Sequence, residues 1–191
     1  MVPLGAGAAP MLPAPMLPAP NTDTTDRRRV VSACETPCVH DEIDQLAVTC
    51  PVDLGVSGWR TITQVEVDTH ARTTGDAQWI HNDPERAVRE SPFGGPVVQG
   101  FLLLALLTEL SSGLTFPQIG PVQMMVNYGF DRIRFVRPVP VGASVRLAGS
   151  LAAVERRGAD RAVLALDVEL EVDDDVDRPA VVARWLFLAQ S

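Results

Sequence analysis

Asp76 and His81 lie five residues apart between Gly75 and Pro84. A carboxylate and an imidazole held together can orient one water and move its proton, because one can be charged and basic near neutral pH while the other is neutral. The same residue types also serve as a loop Asp bonding nearby amides and a packed His with satisfied ring nitrogens, so spacing alone leaves both roles open. Gly100 adds a third component. It falls in the first turn or so of an apolar segment that reads as a helix, where glycine costs about 1 kcal/mol relative to alanine. Two reasons would keep it there. A bare N–H at a helix N-terminus, with the macrodipole behind it, suits a developing negative oxygen; close packing against a strand is the other. An acyl thioester carbonyl at such an amide would have an electrophilic β-carbon and an acidic α-hydrogen.

The elements that must position these residues follow from pattern. Residues 59–74 read as a strand entering a short helix that carries His70 and Ala71, and residues 74–84 as a polar loop bounded by Gly and Pro. Residues 85–92 suit one or two helical turns. Pro96 suits the start of a helix running from Val97 to about Ser112 and stopping at Gly113, apolar on nearly every face and so wrapped on most sides. Four β-rich stretches follow, over 126–137, 144–154, 162–172 and 180–190. The third alternates cleanly, Leu164, Leu166, Val168, Leu170 and Val172 against Ala165, Asp167, Glu169 and Glu171. Antiparallel strands following one apolar helix predict an α+β hot dog fold, a sheet curled around that helix.

Composition narrows the chemistry. The chain has 191 residues and is 46% hydrophobic, enough for one domain plus a tail. A formal charge of −8 argues against nucleic-acid binding. All 16 basic residues are Arg, which excludes Schiff-base chemistry, pyridoxal phosphate anchoring and a P-loop lysine. Residues 1–50 form a Pro/Ala-rich extension expected to be flexible, with Ala9-Pro-Met-Leu-Pro repeated from Ala14, and the domain is expected over 51–191. The three cysteines and the lack of a basic, unbroken leader predict reduced thiols and a cytoplasmic protein. Cys34-x3-Cys38-x-His40 and the distant Cys50 match no common zinc spacing, so no metal site is expected.

The run Thr74-Gly75-Asp76-x4-His81-x-Asp83-Pro84-x2-Ala87, then Pro92-Phe93-Gly94-Gly95-Pro96-Val97-Val98-Gln99-Gly100-Phe101, resembles the hydratase signature of MaoC-like dehydratases. Asn127-Tyr128-Gly129-Phe130-Asp131-x-Ile133-Arg134-Phe135 and Pro138-Val139-Pro140-Val141-Gly142 are similar to the nodulation protein N-like branch of that family. The resemblance covers residues 55–190. It implies a bacterial enzyme of fatty-acid or polyketide metabolism that reversibly hydrates a trans-2-enoyl thioester, on coenzyme A or acyl carrier protein, to the (R)-3-hydroxyacyl thioester. It implies that Asp76 and His81 activate the water and that the Gly100 amide forms the oxyanion hole, with no cofactor. Trp79, Gln99, Asn127 and Arg134 are the expected substrate contacts, and a homodimer is the expected assembly. The alternatives are a hot dog thioesterase and a non-catalytic subunit. The chain departs from the pattern in three places: Gln78-Trp79 for Asn-Pro, Gln99 for His, and Leu102, Leu103 and Leu104 where relatives often place a hydroxyl.

Overall fold

The computed structural model describes residues 39–120 and 122–191. Six antiparallel strands, β1 (Val52–Val56), β2 (Arg60–Thr61), β3 (Met124–Phe135), β4 (Ser144–Arg156), β5 (Arg161–Val172) and β6 (Val181–Gln190), form one sheet. Its order is β1-β4-β5-β6-β3, with β2 also on β4. The expected hot dog arrangement is present: helix α5 (Gly100–Ser111) packs Leu102, Leu103, Leu106, Leu107 and Leu110 into the same core as the inward residues of the sheet.

β5 shows how the pattern becomes a face. Leu164, Leu166, Val168, Leu170 and Val172 are buried, while Asp167, Glu169 and Glu171 point away from the core, as a two-residue period requires. Register carries this face across the sheet, with Leu166 opposite both Leu151 of β4 and Trp185 of β6. On the outer face the same register aligns Asp53, Ser150, Asp167, Arg184 and Arg132, one from each of five strands. Arg184 pairs with Asp167 through two bonds of 2.7 and 2.8 Å and draws that carboxyl below its ordinary range.

Two expectations about helices need correction. α5 begins at Gly100, three residues later than the apolar run suggests, because Val97 bridges to Pro140 and the Val98 N–H donates to Val139 O at 2.8 Å. Those backbone groups are spent on a strand-like pairing, so Pro96 is not the first helical residue. Nor is α5 wrapped throughout: Phe101, Ala105 and Thr108, one stripe at helical spacing, are exposed. A further helix, α1 (Val39–Thr49), lies within the span read as a flexible extension; Ile43 and Leu46 pack on the core and Asp44 pairs with Arg156 at 3.0 Å. Residues 1–38 of that extension, with Cys34 and Cys38, lie outside the described residues.

Helix α2 (Gln64–Thr74) starts at a capping box: the Glu66 N–H donates to Thr63 Oγ1, and the Thr63 N–H to Glu66 Oε2 at 2.8 Å. Arg60 ties this box to α5 by pairing with both Glu66 and Glu109. α2 ends at Gly75, whose φ of 80° is the left-handed conformation that glycine adopts most readily, and the turn delivers Asp76. Two short helices follow, α3 (Trp79–Asn82) and α4 (Pro84–Glu90), where only α4 was foreseen; Asp83 caps α4 by accepting from the Arg86 N–H at 3.0 Å.

Candidate active site

His81 sits on α3 and is buried. Its Nδ1 lies 2.6 Å from Val97 O, and the Val97 N–H returns a bond to Ile80 O at 3.0 Å. A carbonyl can only accept, so Nδ1 carries the hydrogen, and it is Nε2 that can offer a lone pair or a second N–H. No hydrogen bond reaches Nε2 among the described residues. The His81 backbone is held as well: Gln64 Nε2 donates to His81 O at 2.8 Å and to Asp68 Oδ1 at 2.9 Å, and Asn82 Nδ2 donates to the same carboxylate oxygen at 2.7 Å. These bonds from Gln64 and Asn82 hold the Asp68 carboxyl below the usual range.

Asp76 is held by its backbone more than by its side chain. Its N–H donates to Thr74 Oγ1 at 3.3 Å and its carbonyl accepts from Gln99 Nε2 at 3.4 Å. The carboxylate takes one long bond, from Gln78 Nε2 at 3.5 Å. Asp76 and His81 share no direct hydrogen bond among the described residues; what they share is the segment 97–99, to which the His81 ring and the Asp76 carbonyl are each tied.

That segment ends at the first residue of α5. No side chain caps this helix, and the Gly100 N–H has no acceptor among the described residues. A Cβ on Gly100 would stand 3.0 Å from Cε1 and Cζ of Phe135, so the glycine both packs against a strand and leaves its amide bare. Gly100 stands in the wall of an open cavity of about 440 Å³, with Phe93, Val98, Phe101, Phe135 and Arg137 among its other lining residues. Its lining is mostly apolar, and Asp76 and His81 are not part of it.

The other expected contacts are scattered. Gln99 is fully buried, with its amide hydrogens spent on protein carbonyls. Trp79 is half-buried beneath the Arg86 guanidinium, 4.4 Å from ring centroid, and walls no part of the cavity. Asn127 lies exposed near the opposite end of β3 from Phe135. Arg134 pairs with Val182 on the outer face, while its neighbours Ile133 and Phe135 pair with Ala183 and Val181 of the core. The fold therefore takes Arg134 away from the cavity of its own chain, as the strand period requires. Arg137, which does line the cavity, is committed to Asp174 and to Arg178 O. Phe135 and Phe93 were missed; the inward phase of β3 would have found Phe135.

A family model described as "MaoC like domain" matches residues 52–172. The chain belongs to the MaoC-like family. This MaoC-like chain is 42% identical over 139 residues to a "Nodulation protein N" of Rhizobium leguminosarum bv. viciae, covering 72% of this chain and 84% of the relative. It is 41% identical over 143 residues to "3-hydroxyacyl-thioester dehydratase Z" of Mycobacterium tuberculosis, covering 75% and 92%. Among solved structures, the R-hydratase PhaJ1 of Pseudomonas aeruginosa superposes with a TM-score of 0.56 at 19% identity, over 76% of this chain and 85% of that one. At that identity the superposition speaks for the hot dog fold. No helix among the described residues is long and apolar enough to cross a membrane, and no cluster of His, Cys, Asp and Glu there is arranged to hold a metal.

Proposed function

We propose that the protein reversibly adds water to a trans-2-enoyl thioester, giving the (R)-3-hydroxyacyl thioester. The carrier is coenzyme A or an acyl carrier protein, and the setting is the cytoplasm. The thioester carbonyl accepts the Gly100 N–H, whose place at a helix start favours the enolate-like oxygen of the transition state. The acyl chain enters the apolar cavity. Water held by Asp76 and His81 gives its oxygen to the β-carbon; its proton passes to the basic member of the pair and returns to the α-carbon. The elements of water add across the double bond with no change in oxidation state. His81 Nε2 suits the base because Nδ1 is fixed as a donor to Val97 O. The observation that carries the reading is the Gly100 N–H, unpaired among the described residues, at a helix start that lines a mostly apolar cavity.

The test is hydration of crotonyl-CoA and longer enoyl-CoA substrates, followed at the enoyl absorbance. Asp76→Ala and His81→Ala should each lower kcat by about 10²–10⁴, the range for general acid–base groups. Variants as active as the wild type would remove the proposal, and thiol release without enoyl loss would replace it with hydrolysis.

The working unit in this proposal is a homodimer. Among the described residues β3 pairs with β6 alone, so it forms one edge of the sheet, and it exposes Met124, Met125, Val126 and Tyr128. A long apolar edge of this kind is a template for another strand, and a second copy supplies one by two-fold symmetry. Light scattering on the eluted protein should give twice the chain mass; a stable monomer at micromolar concentration would refute the dimer.

A further inference from the structure

Gln99 fills core space with an amide where leucine would do so without polar atoms. It is 0% exposed, and its Nε2 lies 3.1 Å from Val67 O and 3.4 Å from Asp76 O. Both partners are carbonyls, so the amide nitrogen must face them, one hydrogen to each. Its Oε1 then points into the interior with no partner among the described residues. An arrangement that leaves an orphan acceptor is a poor way to build a core. It does, however, fasten three pieces at once: the middle of α2, the turn bearing Asp76, and the N-cap residue directly before Gly100. The backbone fastening matters because, among the described residues, the Asp76 carboxylate has a single long bond, from Gln78, to place it.

We propose that Gln99 is a positioning residue, fixing the Asp76 turn against the first amide of α5 so that water and thioester carbonyl meet in register. This rests on the hydration reading above. The side chain acts through Asp76 and does not touch substrate.

The experiment uses the full chain and the enoyl-CoA hydration assay, with Gln99→Leu, Gln99→His, and Gln99→Leu combined with Asp76→Ala. Misplacing a reacting group by about 1 Å can cost around 10²-fold, so Gln99→Leu should lower kcat by tenfold or more with little change in KM. Gln99→His keeps a ring N–H for a carbonyl and should recover most of that loss. In the Asp76→Ala background the leucine substitution should cost nothing further, because the group it positions is gone. Wild-type kcat for Gln99→Leu, or an equal loss in both backgrounds, would overturn the inference. Should the leucine variant fail to fold, a natively melting Gln99→His that loses more than about tenfold in kcat would do the same. If Asp76→Ala is itself fully active, the hydration reading fails first and carries this inference with it; an impaired Asp76→Ala beside an unimpaired Gln99→Leu isolates the failure here.

Discussion

The N-termini of α2 and α5 solve the same problem in opposite ways. Every helix begins with backbone N–H groups that have no partner inside it. α2 satisfies its own with a reciprocal box between Thr63 and Glu66, reinforced by Arg60. α5 starts closer to the core, where unsatisfied donors are more costly, and yet Gln99 gives it no side-chain cap and the Gly100 amide has no acceptor among the described residues. The residue that could have capped α5 turns its amide toward Val67 and Asp76 instead. A helix start completed by its own sequence supports the fold, whereas one left open beside a cavity is set to receive an acceptor from outside.

The sharpest way to break this comparison is to remove the open donor without disturbing the helix. Proline is tolerated at the first helical position, and the residue before it must be extended; Gln99 already has φ −62° and ψ 137°. Gly100→Pro therefore deletes one N–H at small backbone cost. Because any Cβ there meets Phe135, Gly100→Pro and Gly100→Ala should both be made with Phe135→Leu. The proline variant should lose about 10²–10³ in kcat relative to the alanine variant, as removal of an oxyanion donor does elsewhere. Equal activities would mean that the glycine is present for packing alone, and the contrast between the two helix starts would lose its functional meaning.

The sequence was most legible where a periodic rule acted alone. β5 alternates from Leu164 to Val172 because the core covers one face and solvent the other, and β3 to β6 fall within about two residues of their expected bounds. It was least legible where partners lie far apart in the chain. Val97 and Val98 continue an apolar run and read as helix; the bridge that makes them strand-like comes from Val139 and Pro140. Arg134 was read as a substrate contact from residue type, while the register with Val182 sends it outward. Gln99 was picked as a site residue by its place in a motif, but its reach to Val67 and Asp76 depends on how α2 packs against the α5 start. The chemistry of Asp76 and His81 was visible as residue types, whereas the shared anchor that holds them is tertiary.

The smallest effect comes from the closed helix start, and it tests whether closing serves stability alone. Thr63→Ala removes the hydroxyl that accepts from the Glu66 N–H. Loss of such a cap typically costs about 1 kcal/mol, which in a domain of this size corresponds to a fall in Tm of roughly 2–4 °C. The cap sits at the end of α2 away from Asp76, about 16 Å along a helix of eleven residues, and the carbonyl of Val67 that Gln99 uses lies beyond the first turn. Fraying confined to the first turn leaves those anchors in place, so kcat for enoyl-CoA hydration at 25 °C should match the wild type. Thermal denaturation and the hydration assay on one preparation decide the matter. A drop in kcat alongside the drop in Tm would mean that the box also braces the catalytic turn, and that the two helix starts differ less in purpose than in how their donors are satisfied.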